Sequence, residues 1–134
     1  MTPIDRFSLE RHAGEYASWP LRTRLLLDGA PTPVTLPGYT ILHQFEIAPG
    51  FLIVTDCDCP YEEATTFALL SPDLRLLSVR TFSSMYGSFL LDAVDWIDAN
   101  HLVATFHGAL RYRITIRDRG IPFLRPRLGV RRLR

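Results

Sequence analysis

The sequence predicts a mostly β protein built as an antiparallel meander, and three observations carry that prediction. Turn signals recur at strand-length intervals from Leu21 onward: Asp28-Gly29, Pro37-Gly38, Pro49-Gly50, Ser71-Pro72-Asp73, Asp98-Ala99-Asn100 and His107-Gly108. Alternation between apolar and polar positions is clear in two of the segments between them. The connections are too short for the dozen or more residues that a parallel crossover needs. The meander is expected to close as an up-and-down barrel or to fold into two packed sheets.

Before the first strand, the segment from Thr2 to about Tyr16 places a capping residue ahead of Pro3 and carries Ile4 and Phe7. It predicts a short N-terminal helical segment, weakened by Gly14. Strands are then expected at 21–27, 33–36, 39–47, 51–57, 65–71, 74–82, 88–97, 101–106 and 109–117. In 39–47, Tyr39, Ile41, His43, Phe45 and Ile47 share one face and Thr40, Gln44 and Glu46 the other, with Leu42 the single interruption. In 109–117, Leu110, Tyr112, Ile114 and Ile116 oppose Arg111, Arg113, Thr115 and Arg117. Residues 65–118 also resemble β-propeller blades, through Leu69-Leu-Ser-Pro-Asp-Leu74 leading into Leu76-Leu-Ser-Val79 and then Trp96-Ile-Asp-Ala-Asn-His-Leu-Val103. A propeller needs at least about four blades of four strands. Nine strands supply two at most, so the likeness is read as shared hairpin chemistry.

A chain of 134 residues with 47% hydrophobic content fits one domain with a real core. That domain is expected to span residues 1–118, followed by a basic tail at 119–134. Charges stand among the first residues where a secretory signal needs an uninterrupted apolar core. No segment approaches the ~20 apolar residues of a membrane span. A soluble, cytoplasmic protein is expected. Cys57 and Cys59, one residue apart, do not converge to bridging geometry and are expected as free thiols in a reducing compartment.

All 15 basic residues are arginine, which a GC-rich genome explains as well as any selection for anion contacts. Their distribution says more. Residues 1–118 hold nine arginines against all 14 acids, and residues 119–134 hold six arginines and no acid, an acidic body with a basic end.

The densest group of reactive side chains is Asp56-Cys57-Asp58-Cys59-Pro60-Tyr61-Glu62-Glu63, directly after the apolar run Phe51-Leu-Ile-Val54. A zinc site there would need two further ligands from His43, His101 or His107, and zinc motifs place two or more residues between paired cysteines. The alternating ligands and turn glycine of a calcium loop are missing. Two carboxylates acting as acid and base must flank a substrate, which sequence neighbours alone do not achieve. A thiol nucleophile with His43 on the neighbouring strand lacks an orienting third group. No metal, cofactor or catalytic residue is therefore expected, and the octet reads as a strand end with inward thiols and outward carboxylates. The run Thr55-Asp56-Cys57-Asp58-Cys59-Pro60-Tyr61-Glu62-Glu63 resembles a segment of small bacterial β-domain proteins with no assigned activity. That resemblance implies a small bacterial β domain and carries no mechanism.

His43 lies on the apolar face of its strand, where a hydrogen-bonded core histidine is the simpler reading. His101 and His107, at opposite ends of one short strand, are too far apart to act together. On 109–117, Arg111, Arg113 and Arg117 share a face, and barrel closure would bring Arg22 and Arg24 beside them. Five like charges repel, so either these strands are not neighbours, or an anionic ligand belongs there, or carboxylates pair with them; pairing with Asp92, Asp95 or the Asp58, Glu62, Glu63 cluster, within the chain or between subunits, is the reading adopted. The tail mixes Pro122 and Pro126 with Phe123, Leu124, Leu128 and Val130, and reads as a disordered end, an arm docked on another subunit or a contact for an anionic polymer or lipid. Docking fits its apolar content, and nucleic acid is not expected on so acidic a body.

The function expected from these features is that of a non-enzymatic protein-interaction module, with homo-oligomerisation through a strand edge or the tail. Its surface would comprise Asp56, Asp58, Tyr61, Glu62, Glu63, Arg111, Arg113 and Arg117. The alternative is a ligand-binding or enzymatic barrel with its ligand among Tyr39, His43, Phe82, Tyr86, Trp96 and Tyr112.

Overall fold

The computed structural model describes residues 1–14, 19–20, 22–48, 50–58, 63–83, 91–106, 110–117 and 127–133, with residues 57, 58 and 63 described by their backbone. In chain order the strands are β1 (Thr2–Pro3), β2 (Phe7–Leu9), β3 (Arg22–Leu27), β4 (Ala30–Pro37), β5 (Thr40–Ile47), β6 (Gly50–Asp58), β7 (Glu63–Leu70), β8 (Leu76–Phe82), β9 (Leu91–Asp98), β10 (His101–Phe106), β11 (Leu110–Ile116) and β12 (Leu128–Leu133). They form three sheets: β2-β3-β4, then β1-β5-β6-β7-β8, then β12-β11-β10-β9. Every pairing is antiparallel.

The sheets stack face to face with the five-stranded sheet in the middle. Its two faces bury alternate residues of the same strands. Leu52 and Val54 of β6, with Phe67 and Leu69 of β7, pack against Leu102, Ala104, Phe106, Ile114, Ile116 and Leu128 of the third sheet. Ile53, Ala68 and Leu70 pack the other way, against Phe7, Leu25, Val34 and Leu36 of the first sheet. A strand covered on both sides needs no polar alternation, which explains the unbroken apolar runs 51–54 and 67–70. The second and third sheets stack in the same sense, because Phe45 of β5 meets Trp96 of β9 at 5.2 Å while Phe82 of β8 meets Tyr112 of β11 at 4.9 Å.

Each of the nine strands expected between residues 21 and 117 has an observed counterpart, β3 to β11. Their assembly differs from both architectures foreseen. Among the described residues no barrel closes, and the strands divide into three sheets rather than two. The Pro37-Gly38 turn accounts for part of the difference. It joins β4 to β5, yet these strands do not pair. Gly38, at φ 103°, turns a corner from the first sheet to the second, and a Cβ there would stand 2.7 Å from the Asp56 carbonyl oxygen. The corner is fastened on both sides: the Thr23 hydroxyl donates to the Gly38 carbonyl and the Thr55 hydroxyl to the Pro37 carbonyl, both at 2.7 Å. By contrast, Asp28 (φ 51°) and Gly29 (φ 83°) form the tight hairpin turn that their sequence announces, with Leu27 opposite Ala30.

The N-terminal helical segment is not present among the described residues; β1 and β2 occupy that stretch. Thr2 and Pro3 lie opposite Glu46 and Phe45, and Phe7 to Leu9 lie opposite Leu27 to Leu25. The Thr-Pro pair that signals a helix start also suits an edge strand, where proline's missing N–H costs nothing. The likeness to propeller blades spans β7 and β8 of the second sheet and β9 to β11 of the third. Successive meanders packed face to face are what the two architectures share. Residues 128–133 of the basic tail form β12, which pairs with β11 along its whole length, Leu128 opposite Ile116 and Leu133 opposite Arg111.

Candidate interaction surface

Three groups of residues were candidates for function, and the fold separates them. Asp56 lies on β6 of the central sheet, opposite Thr40 on one side and Thr65 on the other. Its carbonyl accepts the Tyr39 N–H at 2.8 Å, so this strand end supports the corner between sheets. Cys57 stands opposite Ala64, and Asp58 opposite Glu63. Cys59, Tyr61 and Glu62 lie outside the described residues. Among the described residues, no three His, Cys, Asp or Glu side chains are grouped to hold a metal ion, and no helix is long and apolar enough to cross a membrane.

The described candidate ligand-pocket residues fall in three places. His43 stacks on Phe45 (5.8 Å, interplanar 9°), and Phe45 meets Trp96 edge-on. Tyr112 packs on Phe82 and Phe106 at 4.9 and 5.9 Å, within the same core but on its β8 and β11 side. Partial burial pushes the His43 pKa below its ordinary value, because the imidazolium loses hydration. The Trp96 indole N–H is shielded and has no acceptor among the described residues. Tyr39 stands apart, in a three-ring group with His12 and Trp19 at 5.0 to 5.5 Å, and its hydroxyl donates to the Pro20 carbonyl at 2.8 Å. Nothing in the sequence pattern links these three rings, since the segment that carries His12 and Trp19 has no strand periodicity. Tyr86 lies outside the described residues.

The arginines that barrel closure would have grouped are divided between the two outer sheets. Arg22 donates to the Thr35 carbonyl at 2.7 Å and Arg24 to the Thr32 carbonyl at 2.8 Å, both on the first sheet. Arg111 and Arg113 belong to β11 of the third sheet, whose inward positions Ile114 and Ile116 fill the core. Alternation therefore turns Arg111, Arg113, Thr115 and Arg117 to the outer face, away from the central sheet and Asp56. Without barrel closure the five guanidinium groups do not meet: β3 and β11 lie in different sheets, separated by the whole stack. One row across the outer face runs Asp95, Val103, Arg113, Arg131, so buried Val103 stands between Arg113 and the carboxylate expected to pair with it. The next pair along on the same face, Thr115 and Gly129, borders a hollow of about 300 Å³ lined by Arg113, Thr115, Arg117, Gly129, Val130 and Arg131.

The two edges of this third sheet carry opposite charge. Strand β9, Leu91–Asp98, presents Asp92, Asp95 and Asp98, all exposed, and no basic residue. Strand β12 presents exposed Arg131 and Arg132 and no acid. The Asp98 carboxylate accepts the Asn100 N–H at 2.8 Å and meets His101 Nδ1 at 2.8 Å; these contacts, the first above all, hold its pKa below the ordinary carboxylate value. Edge β4 is different in kind: Pro31, Pro33 and Pro37 remove three of its backbone donors. The arginines of β11 stand out in the sequence but this opposition does not, because it arises only where the tail strand and β9 become the two ends of one sheet.

No family model matches the chain, and comparison with curated proteins and with solved structures finds no match to it.

Proposed function

We propose that the protein is a non-enzymatic interaction domain that extends its third sheet with a strand from another chain, a second copy being the partner its own edges fit. The observation that carries this reading is the division of charge between β9 and β12. An edge strand exposes a row of unpaired N–H and C=O groups, and like charges along it discourage pairing with its own kind. Two β12 edges repel through Arg131 and Arg132, and two β9 edges repel through their aspartates. A β12 edge beside a β9 edge sets arginine against aspartate, the favourable cross-strand combination.

Strand direction agrees. In a four-stranded antiparallel sheet the two outer strands run in opposite directions, so β12 of one copy beside β9 of the next continues the antiparallel order. Such a head-to-tail contact is heterologous and gives rings where it closes and filaments where it does not. Exposed ion pairs contribute only about 0.2 to 1 kcal/mol each and are screened by salt. The association is therefore expected to be salt-sensitive, with backbone pairing supplying the rest.

Sedimentation velocity on a charge-swapped pair of variants tests the proposal. D92R/D95R has two basic edges and R131D/R132D two acidic ones, so each alone should sediment as a smaller species than the parent, and their mixture should restore the larger one. A parent protein that stays monomeric at every concentration and salt, or a mass indifferent to both swaps, would remove the idea.

A further inference from the structure

The hollow on the outer face of the third sheet has a chemistry that edge pairing does not explain. Arg113 and Arg131 are register partners, two cations placed directly opposite each other across a strand pair. Such an arrangement is unfavourable unless an anion lies between them. Neither has a carboxylate partner among the described residues: the ion pairs there are Arg6 with Asp28, Arg75 with Asp73, and His101 with Asp98. The Arg113 Nε–H is shielded from solvent and donates to no acceptor within the described structure. A shielded donor on a charged group is costly to leave unsatisfied.

The rest of the wall fits the same kind of guest. Among the described residues no carboxylate lines the hollow, and Thr115 contributes a hydroxyl next to Arg113 and Arg131. Gly129 keeps the floor open. A Cβ at that position would lie 2.6 Å from Arg117 Nη1 and 2.7 Å from its Nη2, so the missing side chain is what lets the Arg117 guanidinium lie across β12. Guanidinium groups converging on one small, polar hollow match a tetrahedral oxyanion, whose several oxygens each accept a charge-assisted hydrogen bond.

We propose that this hollow binds a small phosphate-type oxyanion, held by Arg113 and Arg131 with the Thr115 hydroxyl as a third donor. The site lies on the sheet face rather than its edge and requires no second copy. Binding neutralises the opposed arginines and satisfies the shielded Nε–H, so the ligand also stabilises the pairing of β11 with β12.

Calorimetric titration with inorganic phosphate and with pyrophosphate, at constant ionic strength, tests the site on the full chain. The parent protein should bind pyrophosphate more tightly than phosphate. Arg113→Gln and Arg131→Gln should each weaken binding about tenfold or more, since each removes a charge-assisted contact. Arg131 is exposed, so its variant is expected to fold and keeps the test decisive if the other does not. Arg80→Gln, at an exposed position of β8 in the central sheet, should bind as the parent does. In amide NMR spectra the shifts should concentrate at residues 113–115 and 129–131. Absence of binding up to about 10 mM, a range reaching past millimolar affinity, would overturn the proposal. So would equal affinity in Arg131→Gln, or binding to phosphatidate vesicles without binding of free pyrophosphate.

Discussion

Gln44 grips the backbone of Phe7 from both sides: its Oε1 accepts the Phe7 N–H at 2.7 Å and its Nε2 donates to the Phe7 carbonyl at 2.9 Å. The side-chain amide thus acts as one more residue of a sheet, tying β2 of the first layer to β5 of the second. Phe7 is the residue that this holds in place, buried among Leu25, Val34 and Leu36 and edge-on to Phe51 at 5.0 Å. Gln44→Leu leaves both Phe7 backbone groups without their partners. The expected loss is about 1 to 3 kcal/mol, the cost of unsatisfied polar groups in a partly buried setting. Urea unfolding measures it, and faster hydrogen exchange at Phe7 than at β6 residues would localise the effect.

Leu52 and Ile53 are adjacent, fully buried and directed into different cores. In a sheet with one wet face, truncating neighbours on a strand gives one large effect and one small one. Here Leu52→Ala and Ile53→Ala should each destabilise by about 2 to 5 kcal/mol, the range for emptying a buried aliphatic site. Chemical denaturation of the two variants is therefore a direct test of the three-layer stack. A small value at Ile53 would mean that the first sheet does not cover β6.

Gly50 and Gly29 both adopt positive φ, at 143° and 83°, but for different reasons. A Cβ on Gly50 would fall 2.0 Å from the Leu70 carbonyl oxygen, in the pairing between β6 and β7, whereas a Cβ on Gly29 meets nothing within 4 Å. Gly29→Ala should therefore cost only backbone strain, about 1 to 2 kcal/mol. Gly50→Ala must push two central strands apart and should exceed the 4 to 5 kcal/mol that marks an exceptional single substitution. The comparison is made by thermal melts, with the Gly50 variant expected to unfold well below the Gly29 one.

The strands were legible in the sequence because turn residues and apolar runs are local signals. Even the one flaw in the alternation of residues 39–47 had meaning: Leu42 sits at a β-bulge, where the register passes from Ile41 opposite Thr55 to His43 opposite Val54. The bulge directs Ile41 to the first-sheet core while Leu42 joins the other. The layer arrangement was not legible. Pro37-Gly38 looks the same whether it closes a hairpin or turns a corner between sheets, and only the hydrogen bonds from Thr23 and Thr55, both remote in sequence, decide for the corner. The tail's strand was hidden for a related reason. Its prolines and arginines lie before and on β12, and what makes Leu128–Leu133 a strand is the partner β11 rather than its own composition. The candidate surface suffered most, because Arg111 and Arg113 were recognised while their neighbour Arg131 and the opposing edge of aspartates depend on sheet order.

His43 gives the fold a dependence on mildly acidic pH. Burial lowers its folded pKa below the ordinary 6.5, while the unfolded chain titrates near that value. Between the two values the unfolded state binds more protons, so stability falls as pH falls. The contribution is intact above about pH 6.5, is lost as the pH drops toward the folded value, and changes no further below it. Asp98 also has a lowered pKa, but its loss begins only where the unfolded carboxyl titrates, near 3.8. The interval from about pH 7.5 to 5 is therefore clear of that carboxylate and suited to the histidine. Urea midpoints of the parent protein should decline across that interval, and those of His43→Gln, which keeps a polar side chain without an imidazole, should decline less. Parallel pH dependences for the two proteins would show that His43 stays hydrated in the fold and that its stack on Phe45 does not shield it.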